Sequence, residues 1–119
     1  MRFPAIVYGD SMEPTLKSGD LIVYQPYEDN QPKHVIPGDL VLYESMGFNR
    51  DGTPNGKPGI YVHRIVEILY LKVSGRHEIL YLVKGDNRNY TEKIPFRKIR
   101  GRVTSAYHLL TRIDLEARP

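Results

Sequence analysis

Hydrophobic positions along the chain fall into short runs that are rich in β-branched and aromatic residues, and glycine and proline separate these runs. The pattern predicts strands at residues 5–8, 21–24, 40–43, 60–73, 78–84 and 101–110. Helical periodicity is poor, because nine prolines interrupt most windows in which a helix could begin. One short helical turn is expected near residues 91–98. The sequence therefore predicts an all-β domain with little helix.

The length and the loop composition bound the organisation of the chain. With 119 residues it can bury one small core, so a single domain over residues 1–119 is expected. Residues 46–59 hold too many turn formers for a strand, which favours a mobile surface loop. No window contains the roughly 18 uninterrupted apolar residues of a membrane-spanning helix, so the chain as given is expected to be soluble.

The segment from residue 60 to residue 84 has the pattern of a long β-hairpin with its turn at Ser74-Gly75. A symmetrical two- or four-residue loop pairs Val73 with Arg76 and, counted back along both strands, His63 with Asp86. Directly opposed residues have Cβ atoms about 4.5 to 5.5 Å apart, which lets an imidazole bind a carboxylate. A three-residue loop or a bulge would move the partner by one position.

Ser11 is the candidate nucleophile. It follows Gly9, which permits a tight turn, and precedes Pro14, which belongs outside regular structure, so its hydroxyl is expected at an exposed bend. An ordinary polar turn has the same composition. Together with His63 and Asp86, however, Ser11 provides the residue types of an acyl-transfer triad.

Each member of this triad has a distinct expected role. Ser11 would attack a carbonyl, and His63 would take its proton and return it to the leaving amine. Asp86 would hold the ring and stabilise its cationic form. The Ser11 backbone N–H is the expected oxyanion donor, and the second donor stays open.

The composition excludes several other chemistries. The chain contains no cysteine, which removes disulfides, metal thiolates and a cysteine nucleophile. His34, His77 and His108 lack the spacing of metal ligands, so no metal site is expected, and acyl transfer by the triad needs no cofactor. Lysine and arginine exceed aspartate and glutamate by three, a mild basic balance that does not demand nucleic acid.

Four motifs resemble, in order, those of the signal peptidase I family and its distant relatives, the LexA-like self-cleaving repressors. We name them the serine box, the strand box, the histidine box and the aspartate box. They are Ser11-Met12-Glu13-Pro14-Thr15-Leu16, Gly38-Asp39-Leu40-Val41-Leu42-Tyr43, Val62-His63-Arg64-Ile65 and Lys84-Gly85-Asp86-Asn87-Arg88. The resemblance implies a fold of small coiled antiparallel sheets. It also implies a serine endopeptidase that cleaves signal peptides from secreted or membrane proteins after small residues.

The base position divides this family. Histidine at His63 resembles the archaeal and endoplasmic-reticulum branch, whereas bacterial members and the repressors use lysine there. In that branch a second acidic residue follows the aspartate of the last box by six positions, where this chain has Glu92. Asp86 and Glu92 therefore both stay open as the carboxylate that orients His63, and the hairpin count favours Asp86.

The resemblance further implies where such an enzyme acts and on what. It would be membrane-associated, with its catalytic domain on the extracytoplasmic or lumenal side, and its partners would be preproteins and accessory subunits. Family members carry a membrane anchor directly before the serine box, and that anchor is expected to be missing here. An extended substrate would pair beside Ser11, with Ala5, Ile6 and Met12 near enough to line shallow pockets.

Two other functions stay open from the sequence. The basic run 97–102 is compatible with a non-catalytic β-barrel that binds nucleic acid or membrane headgroups, although such residues also protect strand edges. A repressor-type autoprotease is the second alternative, but it would use a lysine as base, where this chain has His63, and no upstream segment long enough to be cleaved is expected. The four boxes favour the peptidase, so no nucleic-acid partner is expected.

Overall fold

The computed structural model describes residues 1–28, 34–108 and 111–115, and this part of the chain forms eight strands and one 3₁₀ turn. The strands are β1 (Phe3–Ile6), β2 (Leu21–Pro26), β3 (Leu40–Ser45), β4 (Gly59–Val73), β5 (Arg76–Lys84), β6 (Glu92–Pro95), β7 (Ile99–His108) and β8 (Thr111–Arg112). The all-β prediction is confirmed. The helical turn expected near residues 91–98 is the 3₁₀ turn Phe96–Lys98, preceded by β6. Residues 109 and 110 of the last predicted strand lie outside the described residues.

The strands form one antiparallel sheet in the order β1-β2-β7-β3-β4-β5-β6, with β8 beside β7. Strand β7 therefore lies between β2 and β3, and the basic run at its start does not protect a sheet edge. Arg100 in that run donates instead to Glu44 of β3, at 2.6 Å. In the described part of the chain, no helix has the length and apolar character that a bilayer crossing requires.

Strand β3 separates two hydrophobic clusters, because successive side chains of a strand point to opposite faces. Leu40 and Leu42 belong to the first cluster, and Val41 and Tyr43 belong to the second. The first cluster also contains Val7, Met12, Leu16, Ile22, Val103 and Ala106. The second also contains Val35, Ile65, Tyr81, Val83, Ile94 and Ile99. Burial on both faces explains why the middle of β3 is a continuous apolar run.

The β4–β5 hairpin turns at Ser74 and Gly75, as the sequence predicts. Both residues have positive φ, 51° and 78°, which a two-residue type I′ turn requires. The predicted register also holds at this end of the hairpin, where Val73 pairs with Arg76.

The predicted register is wrong at the other end of the hairpin. A bulge between Ile65 and Glu67 shifts the pairing by one position, so that Arg64 pairs with Lys84. Counted on from that pair, His63 faces Gly85 and not Asp86. The extra residue of a bulge stays unpaired, and this one moves the carboxylate out of reach of the ring.

The segment between β3 and β4 is irregular, as predicted for residues 46–59. It contains a single isolated bridge between Phe48 and Pro54, and Asn49 N–H donates to Thr53 O at 2.8 Å. The mobility of this loop stays a prediction.

Candidate active site

Ser11 lies in a turn between β1 and β2 that two buried side chains fix to the first cluster. Gly9 has a φ of 82°, so the chain bends sharply just before the serine. Leu16 N–H then donates to Met12 O at 2.9 Å, and this helix-like spacing directs both side chains into the core. Ser11 itself stays half-buried at the surface of the turn.

The three residues proposed for substrate pockets lie in different surroundings. Ala5 and Ile6 line a groove that also reaches Ser11. Met12 is only 1% exposed, and its sulfur accepts from the Asp86 N–H at 3.4 Å. Its prediction as a pocket residue is therefore wrong, because the side chain anchors the serine turn in the core.

The aspartate box holds the serine turn from the other side. Asn87 N–H donates to Ser11 O at 2.9 Å, and Asn87 Nδ2 donates to Asp10 O at 3.1 Å. Arg88 donates to the Asp10 carboxylate at 2.8 Å, and Thr15 Oγ1 donates to Asp86. The position of the nucleophile therefore depends on residues more than seventy positions away in the chain.

Asp86 is bound by Arg64 and does not contact His63. Arg64 Nε donates to Asp86 Oδ1 at 2.9 Å, and Arg64 Nη2 donates to Oδ2 at 2.8 Å. Arg64 Nη1 also donates to Gly38 O at 2.9 Å. Burial opposes ionisation of Asp86, but the hydrogen bonds from Arg64 and Thr15 outweigh it and hold its pKa below the ordinary value. Arg64 therefore connects the four boxes: it binds Asp86, which Thr15 also binds, and it binds Gly38 of the strand box.

The orienting contact of His63 is a tyrosine. His63 is 5% exposed, and its Nδ1 lies 2.7 Å from the Tyr43 hydroxyl. That hydroxyl donates to Glu92 Oε1 at 3.1 Å, and Ser45 Oγ donates to the same oxygen at 3.1 Å. Glu92, the alternative carboxylate of the sequence analysis, therefore reaches His63 through Tyr43.

The second nitrogen of the His63 ring faces the serine turn. Among the described residues, no group forms a hydrogen bond with the buried His63 Nε2, Ser11 Oγ included. A Cβ added to Gly85 would lie 2.6 Å from Ser11 O and 3.1 Å from His63 Nε2, so the ring and the serine backbone contact the same glycine. Both residues line one pocket. Its wall includes the aromatic side chains of Tyr8, Phe48, Tyr61 and Tyr90.

The surroundings of His63 favour its neutral form. Burial lowers its pKa most, the positive charges of Arg88 and Lys84 lower it further, and Asp86 acts in the opposite direction, leaving a pKa of about 4. The ring is thus unprotonated at neutral pH, which is the state in which an imidazole accepts a proton. Burial also raises the pKa of Glu92, against the hydrogen bonds from Ser45 and Tyr43.

The sequence analysis missed the roles of Tyr43 and Ser45. Val41 pairs with His63 across β3 and β4, and Tyr43 lies two residues further on the same face. A tyrosine within an otherwise aliphatic buried strand is a usable signal, because a buried phenol needs a hydrogen-bond partner. Ser45 follows two residues later on that face.

A metal site has no support in the described residues. They contain no group of three or more histidine, aspartate or glutamate side chains placed to hold an ion.

No protein-family model matches the sequence, and no curated protein matches it. The resemblance to signal peptidase I therefore rests on the four boxes.

Proposed function

We propose that this protein is a serine endopeptidase of the signal peptidase I type, with Ser11 as nucleophile and His63 as general base. The observation that carries the proposal is the His63 Nε2 atom, which is buried and unpartnered among the described residues and lies against Gly85, as does Ser11 O, while His63 and Ser11 line one pocket. A buried acceptor without a protein partner is costly, and a catalytic role is one reason to retain it.

The proposed reaction is an acyl transfer in two steps. Ser11 Oγ attacks the scissile carbonyl while its proton passes to His63 Nε2, and the imidazolium then protonates the leaving amine. Water repeats the sequence on the acyl-enzyme and releases the acid. The Ser11 N–H supports a role as oxyanion donor, since no acceptor in the described part of the chain takes it.

The proposed substrates are leader peptides of secreted or membrane proteins, cleaved after small residues near a membrane surface. The four boxes supply this substrate class. The groove beside Ser11 supports an extended, apolar ligand, because Ala5 and Ile6 of β1 line it. Strand β1 is also an edge strand of the sheet, so its outer edge can pair with a peptide backbone.

The basic run 97–102 gives little support to a nucleic-acid or headgroup-binding barrel. The charges of this run lie in separate surroundings. Arg100 pairs with Glu44, whereas Arg102 lines a pocket with Arg112 that contains neither Ser11 nor His63. The described residues provide no observation that favours a repressor-type autoprotease.

The test is cleavage of a leader peptide containing Ala-x-Ala by the purified chain in detergent micelles. Ser11→Ala is expected to reduce the cleavage rate by roughly 10³-fold or more, because the nucleophile is lost. Ser18→Ala, which removes an exposed hydroxyl from the same turn region, is the matched control and is expected to cleave at the parent rate.

The histidine is tested in the same way. His63→Ala is expected to abolish cleavage, whereas His77→Ala, at an exposed position of the β4–β5 hairpin, is expected to retain it. Cleavage that survives both Ser11→Ala and His63→Ala, or a parent chain that cleaves no leader peptide, would overturn the proposal.

A further inference from the structure

We propose that Tyr43, held by Glu92, is the positioning residue that fixes the proton of His63 on Nδ1, so that this site uses a hydroxyl-bridged carboxylate in place of a direct one. The inference rests on the proposed function for its catalytic meaning. Its structural content, the position of one proton on an imidazole, can be measured independently of any cleavage.

The direction of the hydrogen bonds follows from donor counting, beginning at Ser45. The Ser45 hydroxyl accepts from the Gly47 N–H at 3.0 Å, and its own proton is then available for Glu92 Oε1 at 3.1 Å. Tyr43 has a single proton, and the same carboxylate oxygen accepts it at 3.1 Å. An ionised carboxylate only accepts hydrogen bonds, and one of its oxygens can accept from two hydroxyl groups.

A tyrosine whose O–H donates its hydrogen bond to Glu92 can only accept a hydrogen bond from His63. The contact of 2.7 Å between the hydroxyl and Nδ1 therefore requires the proton to be on Nδ1. In a neutral ring this leaves Nε2 with its lone pair, and Nε2 is the nitrogen that lies against Gly85, the glycine that Ser11 O also approaches. The opposite tautomer would present an N–H to the serine and could not act as a base.

The packing keeps this arrangement fixed. Tyr43 is fully buried in the second cluster, at 0% exposed surface, and its ring is tilted against those of Tyr61 and His63. Water therefore cannot readily replace the hydroxyl. Asp86 does not serve in its place, because its oxygens accept from Arg64 and Thr15 and it makes no hydrogen bond with His63.

The test measures the tautomer of His63 by ¹⁵N NMR of the ring nitrogens at neutral pH, in the full chain. The expected result for the parent protein is a protonated Nδ1 and an unprotonated Nε2. Tyr43→Phe removes the acceptor, so the proton is expected to distribute over both nitrogens. Tyr81→Phe is the matched control: it removes a hydroxyl from another buried tyrosine of the same cluster, away from His63, and is expected to leave the tautomer unchanged.

Steady-state cleavage provides a second measurement. Tyr43→Phe is expected to lower kcat by roughly 10²-fold, the lower end of what general-base catalysis contributes, with KM within about twofold of the parent value. A loss that is equal in Tyr81→Phe would indicate a merely structural effect and would count against the inference.

The two proposals fail in different ways. A parent protein with the proton on Nε2, or a Tyr43→Phe variant with an unchanged tautomer, overturns the role of Tyr43 even if Ser11 and His63 are needed for cleavage. A parent protein with the proton on Nδ1 that cleaves no peptide supports the geometry and overturns the proposed function. If Tyr43→Phe does not fold, the tautomer of the parent protein still decides the question.

Discussion

Asp86 binds Arg64, the residue next to His63 in β4, and it does so with both carboxylate oxygens, at 2.9 and 2.8 Å. The two acidic residues near the base therefore have separate contacts. Asp86 joins the histidine box to the serine turn through Arg64 and Thr15, whereas Glu92 reaches the His63 ring through Tyr43. We expect substitutions at the two positions to have different consequences.

Asp86→Asn is expected to destabilise the fold and to leave the tautomer of His63 unchanged. The loss of the charged hydrogen bonds from Arg64 and Thr15 should lower the free energy of unfolding in urea by about 1.5 to 3 kcal/mol. Glu78→Gln, at an exposed position of β5, is the control and should change it by less than about 0.5 kcal/mol. A change of the His63 tautomer in Asp86→Asn would contradict this separation of roles.

The part of the hairpin that could be predicted from the sequence is the part that local chemistry determines. Ser74 and Gly75 form the turn because few residue pairs tolerate positive φ at both positions. The bulge could not be predicted, because Val66 is an apolar residue at an exposed position, 41% accessible, and its hydrophobicity conceals the interruption in the alternation. Because of this one extra residue, the predicted partner of His63 in the hairpin is wrong by one position.

The nucleophile and the base could be named from their motifs, but the contacts between them depend on distant pairings. Tyr43 and Glu92 are separated by 49 positions, and they meet because β3 and β6 both border the second cluster. A strand pattern predicts that Tyr43 is buried without predicting what its hydroxyl meets. The resemblance supplied Glu92 as a candidate carboxylate, and only the register of β3 against β4 connects it to His63.

Gly85→Ala is expected to disturb the active site directly. The new Cβ would lie 2.6 Å from Ser11 O, closer than real contacts allow, and 3.1 Å from His63 Nε2, so the serine turn has to move. We expect a loss of about 1 to 3 kcal/mol in the free energy of unfolding, as for other overpacked sites, together with a loss of cleavage.

Gly59→Ala is the matched control for stability. Its Cβ would meet only Tyr61, at an ordinary distance of 3.7 Å, and a change of less than about 0.5 kcal/mol is expected. Equal unfolding free energies for the parent protein and Gly85→Ala would show that the close contact is not maintained in solution.

Arg88→Gln is expected to raise the pKa of His63, as measured by NMR titration of the ring. Arg88 is the largest of the charges that lower this pKa, and its removal should move the value up from about 4 toward the ordinary 6.5. Arg50→Gln is the control, since Arg50 also pairs with Asp10 but is 71% exposed, against 12% for Arg88, and is not among the charges that shift the His63 pKa. Equal shifts in both variants would mean that the loss of the Asp10 contact, and not the charge near the ring, is responsible.

The free energy of unfolding is expected to fall as the pH decreases from about 6.5 to about 4. The His63 imidazole binds a proton less readily when it is buried in the folded protein than when it is exposed in the unfolded chain. His63 has a pKa of about 4 when folded and an ordinary value of 6.5, so in this range the unfolded state binds more protons and acidification favours it. The full shift corresponds to about 3 kcal/mol. Glu92 has a raised pKa and acts in the opposite direction, so it reduces the observed slope.

The measurement is urea unfolding of the parent protein and of His63→Gln at intervals between pH 4.5 and pH 7. The difference between the two free energies isolates His63, because Glu92 is present in both proteins. We expect the parent protein to lose more stability on acidification than His63→Gln does, whereas His77→Gln, at an exposed position, should follow the parent protein. Parallel pH profiles for the parent protein and His63→Gln would show that the ring titrates near its ordinary pKa, and the base would then be half protonated close to neutral pH.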